Sequence, residues 1–357
     1  MLQKVIAIKS ILWTAAKYLL AGFVLGYVIY ANWGSADGRG LGDVWRLHVV
    51  EREPIREGYL LVALAVHALG MAATLYRWYI LVRAQDLPFT VKSAFRLGML
   101  GYLFNAFLPG AVGGDFIKAA ALAREQDRRT VAIATVIMDR FMSLWGLILL
   151  LAVVGSVCWY VGMLDRTSLA PARVVIGASV VIIAVSVAVW FAMALCSSER
   201  ADGLASRLSH VPAVGGSLSQ LWEAAWLYRN RPVNMLVAVA LSTVSNVCDV
   251  VAFYCYAHTL WDGLASNPLP SLGEHFLLVP VGLVISAVPL FPGGAGIGEA
   301  GFGGLYEFFN SAPANGVLGS LFFRVSGWII GVLGYLLCSF IDTTPKQSLQ
   351  VDRMEEK

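Results

Sequence analysis

An uncharged run of 18 residues, Leu97 to Gly114, most constrains what this chain can become. A membrane-spanning helix needs about 20 apolar residues, so the run is long enough to cross much of a bilayer. Yet it cannot be an ordinary membrane helix. Pro109 removes a backbone donor, and Gly110, Gly113 and Gly114 release the backbone from helical geometry. The run then ends on a carboxylate, Asp115. Broken backbone at membrane depth is tolerated only where it is buried in protein or lines a cavity, and an acid there is costly and usually functional. A second stretch, Leu290-Phe-Pro-Gly-Gly-Ala-Gly-Ile-Gly-Glu299, repeats the pattern.

The surrounding chain fits a membrane setting. Of its 357 residues 58% are hydrophobic and 14% charged, where a soluble domain carries about 25% charged residues. The fold class that follows is an all-α integral membrane protein, with about six spanning helices and two re-entrant helical hairpins arranged as inverted repeats. The spans are expected at 11–31, 59–82, 130–163, 174–196, 233–260 and 313–341. The first is longer than the roughly 7–15 residues of a signal-peptide core, and so reads as a retained helix. A net charge of +3 makes no case for nucleic acid. The cysteines, Cys158, Cys196, Cys248, Cys255 and Cys338, sit in apolar segments with no C-x-x-C pair, and read as small buried hydrophobes.

Five regions result. Residues 1–58 hold an N-terminal membrane helix and a polar loop. Residues 59–198 form a first membrane half, with a hairpin at 90–125 whose second limb returns to water at Lys118 and Arg124. Residues 199–231 are a cytoplasmic linker. In it Leu218, Leu221, Trp222, Ala225 and Trp226 share one helical face, which suits a helix on the membrane surface or one packed on the bundle. Residues 232–341 form the second half, with a hairpin at 272–310, and 342–357 a charged tail. With the N-terminus inside, cytoplasmic segments carry 16 Lys and Arg and outer loops 6. The positive-inside rule then puts both termini in the cytoplasm, at a cell (inner or plasma) membrane. The two hairpins now enter from opposite faces, as inverted repeats would. Spacing agrees: Asp115 to Arg140 and Glu299 to Arg324 are each 25 residues.

Inverted repeats with broken helices point to a midplane transport site. At the breaks, Pro109, Gly113 and Gly114, then Pro292, Gly293, Gly294 and Gly296, let backbone amides approach a ligand, and helix N-termini favour anions. Asn105 suits backbone groups freed by the first break. Asp115 and Glu299 act on a ligand or cap their helices. Arg140 and Arg324 offer the fork that matches phosphate, or pair with the acid of their own repeat. Arg77 is a third phosphate contact or an interfacial arginine whose head snorkels to water. Asp139 and Asp249 are secondary candidates. His67 and His258 read as buried, hydrogen-bonded residues. No nucleophile-and-base arrangement, metal motif or phosphate-binding P-loop appears, so neither an enzyme nor a cofactor or metal site is expected. Gly294-Ala-Gly296-Ile-Gly298 lies in a membrane segment, not after a strand, and is no dinucleotide fingerprint.

Together, Asn105-x-x-Leu108-Pro109-Gly110-x-x-Gly113-Gly114-Asp115, Asp139-Arg140, Pro292-Gly293-Gly294-x-Gly296-x-x-Glu299 and Arg324, with Arg77-Trp78 upstream, resemble the transmembrane domain of lysylphosphatidylglycerol synthases and their stand-alone relatives. The resemblance spans roughly residues 60–341. It implies a lipid flippase that moves a phospholipid or lipid-linked head group between leaflets, with Asp115, Arg140, Glu299 and Arg324 at the head-group site. The full synthases carry a large soluble transferase domain after the membrane domain. This sequence stops at Lys357, so the resemblance implies a stand-alone member without synthase activity. The alternative is a membrane-embedded transferase, or a non-transporting subunit of a lipid or glycan synthesis complex. The expected partners are the lipid and the membrane. A homo-oligomer stays open.

Overall fold

The computed structural model of the chain describes residues 2–34, 40–107, 113–162, 170–195, 197–210, 215–261, 268–287 and 294–340. Long apolar stretches wind into long helices, because in lipid a helix satisfies its own backbone polar groups. In chain order the helices are α1 (Leu2–Ala31), α2 (Leu41–Trp45, running into a π-turn Arg46–Val50), α3 (Glu57–Arg83), α4 (Val91–Phe107), α5 (Gly113–Glu125) and α6 (Arg129–Tyr160). Then follow α7 (Ala170–Ala194), α8 (Ser198–Ser209), α9 (Gly215–Leu227), α10 (Pro232–Thr259), α11 (Leu272–Ser286), α12 (Ile297–Phe308) and α13 (Pro313–Phe340). No strand occurs among the described residues. The protein is an all-α membrane protein. Among the described residues five helices, α3, α6, α7, α10 and α13, are long and apolar enough to cross a bilayer. They fall within a few residues of five expected spans. The sixth expected span lies in α1, which ends at Ala31 as expected and has a shorter apolar section at Ala16–Ala31.

The two broken elements form helical hairpins. At about 1.5 Å per residue, the 17 residues of α4 and 13 of α5 reach roughly 25 and 20 Å, short of a hydrocarbon core of about 30 Å. Their outer ends meet where Arg96 approaches Glu125 at 3.7 Å. Likewise α11 and α12, with 15 and 12 residues, bring His275 Nε2 within 2.7 Å of the Tyr306 hydroxyl. The tips holding Pro109, Gly110, Pro292 and Gly293 lie outside the described residues.

Helices α3 and α10 run antiparallel at the centre. The Arg56 amide donates to the Thr259 carbonyl (3.0 Å) at one end, and Arg231 reaches Asp86 (2.6 Å) at the other. The packing keeps its pattern when the halves are exchanged. Just as α4 packs on α5, α5 on α6 and α4 on α13, so α11 packs on α12, α12 on α13 and α11 on α6. Trp78, Val82, Leu122 and Val136 make one core; Phe253, Leu278, Phe302 and Tyr306 make another. In the 199–231 linker, α9 packs against α8 and α6, and the Trp222 indole donates to the Ala201 carbonyl at 3.1 Å. Helix α9 buries Ala224 wholly, while Trp222, Ala225 and Trp226 of the expected face are half-buried.

Candidate functional site

Each break starts a helix whose first turn carries an acid: Asp115 in α5 and Glu299 in α12. The arginine 25 residues on, in the next long helix, reaches back to it. Arg324 Nη2 lies 2.8 Å from Glu299 Oε1, and Arg140 Nη1 lies 3.8 Å from Asp115 Oδ2. The pairing that stood as one of two readings for these arginines is thus present in both halves, but the two sites differ in closure.

The second site is shut. Glu299 is wholly buried. Its Oε1 takes Arg324 Nε at 2.8 Å and faces Ser320, and its Oε2 accepts the Gly296 amide at 2.7 Å. Glu299 is therefore both a helix cap and an ion-pair partner. Arg324 also donates to the Gly294 carbonyl at 3.3 Å. Gly294 and Gly296 have φ of +71° and +86°, a left-handed backbone open chiefly to glycine. A Cβ on Gly296 would press on Val24 and Leu25, so α1 seats against this break.

The first site is larger and looser. Asn105 Oδ1 accepts the Gly114 amide at 2.7 Å, tying the limbs across the break as the sequence suggested. A Cβ on Gly114 would collide with the Gly101 carbonyl, so only glycine lets α4 and α5 approach this closely. Asp115 Oδ2 is buried without a hydrogen-bond partner, and the Arg140 side chain keeps 32% exposure. Behind this pair lies a row of alternating charge. Lys118 Nζ is 4.0 Å from Asp115 and 3.0 Å from Asp139 Oδ2, and stands over the Trp78 ring. Arg77 meets Asp139 Oδ1 at 2.8 Å and donates to the hydroxyls of Ser143 (2.7 Å) and Ser242 (2.8 Å).

Two expectations need correction. Arg77 is no interfacial, snorkelling arginine; it is 1% exposed. It lies six residues before the end of α3, roughly 9 Å of helix, and Asp139 with two serines gives its guanidinium partners inside the bundle. Lys118 does not mark a return to water. It is buried on Asp139, whereas Arg124 is exposed. Lys118, Ser143, Ser242 and Ser320 went unrecognised as site residues. The available signal was Lys118 standing in the apolar run Phe116–Leu122, three residues after Asp115. Asp139 takes a central place. His67 is buried on Ser326 (3.1 Å) and stacked on Phe323, and His258 bonds the Tyr254 carbonyl at 2.8 Å. Pro109, Pro292 and Gly293, expected beside the site, lie outside the described residues, while Gly113 opens α5 and is buried. An apolar cleft of about 280 Å3 between α6, α7, α11 and α12 has no polar side chain in its lining. No cluster of three or more His, Cys, Asp or Glu able to hold a metal occurs among the described residues.

A family model described as the lysylphosphatidylglycerol synthase TM region matches residues 14–334. No curated protein and no solved structure gives a match.

Proposed function

The chain belongs to the family of the lysylphosphatidylglycerol synthase TM region, and from that premise we propose that it moves a phospholipid or lipid-linked head group between membrane leaflets. The observation that carries this reading is an odd cation. Among the described residues, three cations meet two anions along the row Arg77–Asp139–Lys118–Asp115–Arg140. Charge inside a bilayer is costly unless paired, so the row favours one more anion. Its loose end is Arg140, whose guanidinium fork suits a phosphodiester. The buried pair of Glu299 with Arg324 has no such surplus and serves as the closed counterpart. We read the halves as inverted repeats with re-entrant hairpins. The antiparallel α3 and α10, the exchange-symmetric packing and limbs too short to span all support that reading. Lys and Arg counts favour both termini in the cytoplasm.

The test is reconstitution in liposomes with a labelled anionic phospholipid. Wild-type protein is expected to move label between leaflets above the protein-free rate. Arg140→Lys is expected to lower that rate roughly tenfold while the protein stays monodisperse, because lysine loses the two-pronged contact. A rate equal to wild type in Arg140→Lys would leave Arg140 a mere charge partner.

A further inference from the structure

The bundle has an opening that the charged sites do not use, the apolar cleft of about 280 Å3 between α6, α7, α11 and α12. Its deep wall is made by Leu151, Ile176, Leu277 and Leu278, all buried. Val175 of α7 and Gly304 of α12 form its exposed rim. Two glycines shape the gap. At Gly155 of α6 a Cβ would collide with Ile176, so glycine draws α7 tightly onto α6. At Gly304 a Cβ would meet no atom within 4 Å, so the helix facing α7 offers nothing to fill the space.

Chemistry and depth decide what fills it. A buried water needs about two to four polar partners, and the lining has no polar side chain. Left unfilled, the lining would forfeit its dispersion contacts. An apolar cavity of about 150 Å3 takes up benzene, so this cleft has room for a longer hydrocarbon. Of its four helices, α6 and α7 are long and apolar enough to span a bilayer, and α7 is the most apolar and least buried of the five such helices described. Hydrocarbon at that depth is lipid acyl chain. The mouth suits the rest of the lipid. Ala172 lines the cleft, and its neighbour Arg173 stands over the Trp159 ring at 5.9 Å. An indole beside a cation marks the polar border of the bilayer, and a guanidinium complements a phosphodiester. The acid Glu274, at the same end of α11, is engaged as a cap, accepting from the Ser271 amide at 2.7 Å and hydroxyl at 2.9 Å.

We propose that this cleft binds one acyl chain of a membrane phospholipid, with the phosphate at the Arg173 end. The chain completes the packing between α7 and the second hairpin. The site is separate from the charged row of the first hairpin and does not rest on the transport reading.

The test uses full-length protein in detergent with one added phospholipid per chain, so that detergent covers the general lipid-facing surface. Phe308, in the cleft lining, is replaced by photoreactive p-benzoylphenylalanine. In a second protein the same replacement is made at Phe191, exposed on α7 away from the cleft. After illumination, mass spectrometry is expected to find phospholipid joined at position 308 in several-fold higher yield than at 191. Gly304→Phe fills the opening without meeting a protein atom, and Val175→Phe narrows it from the opposite rim. Each should cut the yield at 308 several-fold while the yield at 191 stays the same and the protein stays monodisperse. Equal yields at 308 and 191 would mean surface lipid only and overturn the proposal. Capture of a second copy, or of another segment of the same chain, in place of lipid would also overturn it, as would an unchanged yield at 308 in either monodisperse variant.

Discussion

At the scale of single residues, the acids divide by how tightly they are held. Asp139 is 5% exposed and sits between Arg77 and Lys118 at 2.8 and 3.0 Å. Removing its charge strands two cations in the bundle, and losing one partner of a buried pair costs about 3–5 kcal/mol. Asp139→Asn is therefore expected to lose most of its monodisperse yield in detergent, with a lower Tm in any protein recovered. Glu299→Gln strands Arg324 in the same way and should behave alike. Asp115 meets its cations at 3.8 and 4.0 Å, too far for strong hydrogen bonds. Asp115→Asn should keep its Tm within a few degrees and still lose lipid movement; an unstable Asp115→Asn with normal movement would make it structural only. The acid–arginine pairs were legible because the same 25-residue spacing occurs twice. Arg77 and Lys118 were not, because sequence alone treats a cation near a helix end as bound for water. It does not reveal that a serine on α6 and another on α10 leave room for a guanidinium.

At the scale of elements, the hairpins depend on close backbone approach. Gly114→Ala would drive a methyl into the Gly101 carbonyl, and overpacking of this kind costs about 1–3 kcal/mol. The limbs α4 and α5 should separate, so Gly114→Ala is expected to weaken movement even though no charge changes. Their sidedness is a separate matter. Lys92 near the start of α4 and Arg124 near the end of α5 are both exposed, as are Ser271 before α11 and Asn310 after α12. Cysteines at the first two positions should label from one side of the membrane, and those at the last two from the other. Labelling of Lys92→Cys and Arg124→Cys from opposite sides would make α4 and α5 a spanning unit and end the inverted-repeat reading. The breaks were readable in sequence because proline and glycine interrupt an apolar run. The seating of α1 on Gly296 was not, because no periodicity in α1 marks which face meets a neighbour.

At the scale of the molecule, two similarly packed halves hold unequal sites. One is sealed by α1 and by the Glu299–Arg324 pair. The other ends in Arg140 with about a third of its side chain exposed and an Asp115 oxygen without a hydrogen bond. On the proposed reading, halves alike in packing but unlike in closure fit a transporter with one closed and one accessible site. On the same reading the surplus cation makes phosphate the feature recognised, so the most direct measurement compares two lipids in the same proteoliposomes. One is a phospholipid and the other a phosphate-free glycosyl diacylglycerol, each carrying the same fluorophore. The phospholipid should change leaflets at a protein-dependent rate and the glycolipid at the protein-free rate, with Arg140→Gln erasing the difference. Equal movement of both lipids, or full phospholipid movement in Arg140→Gln, would contradict a phosphate site at the end of the charged row.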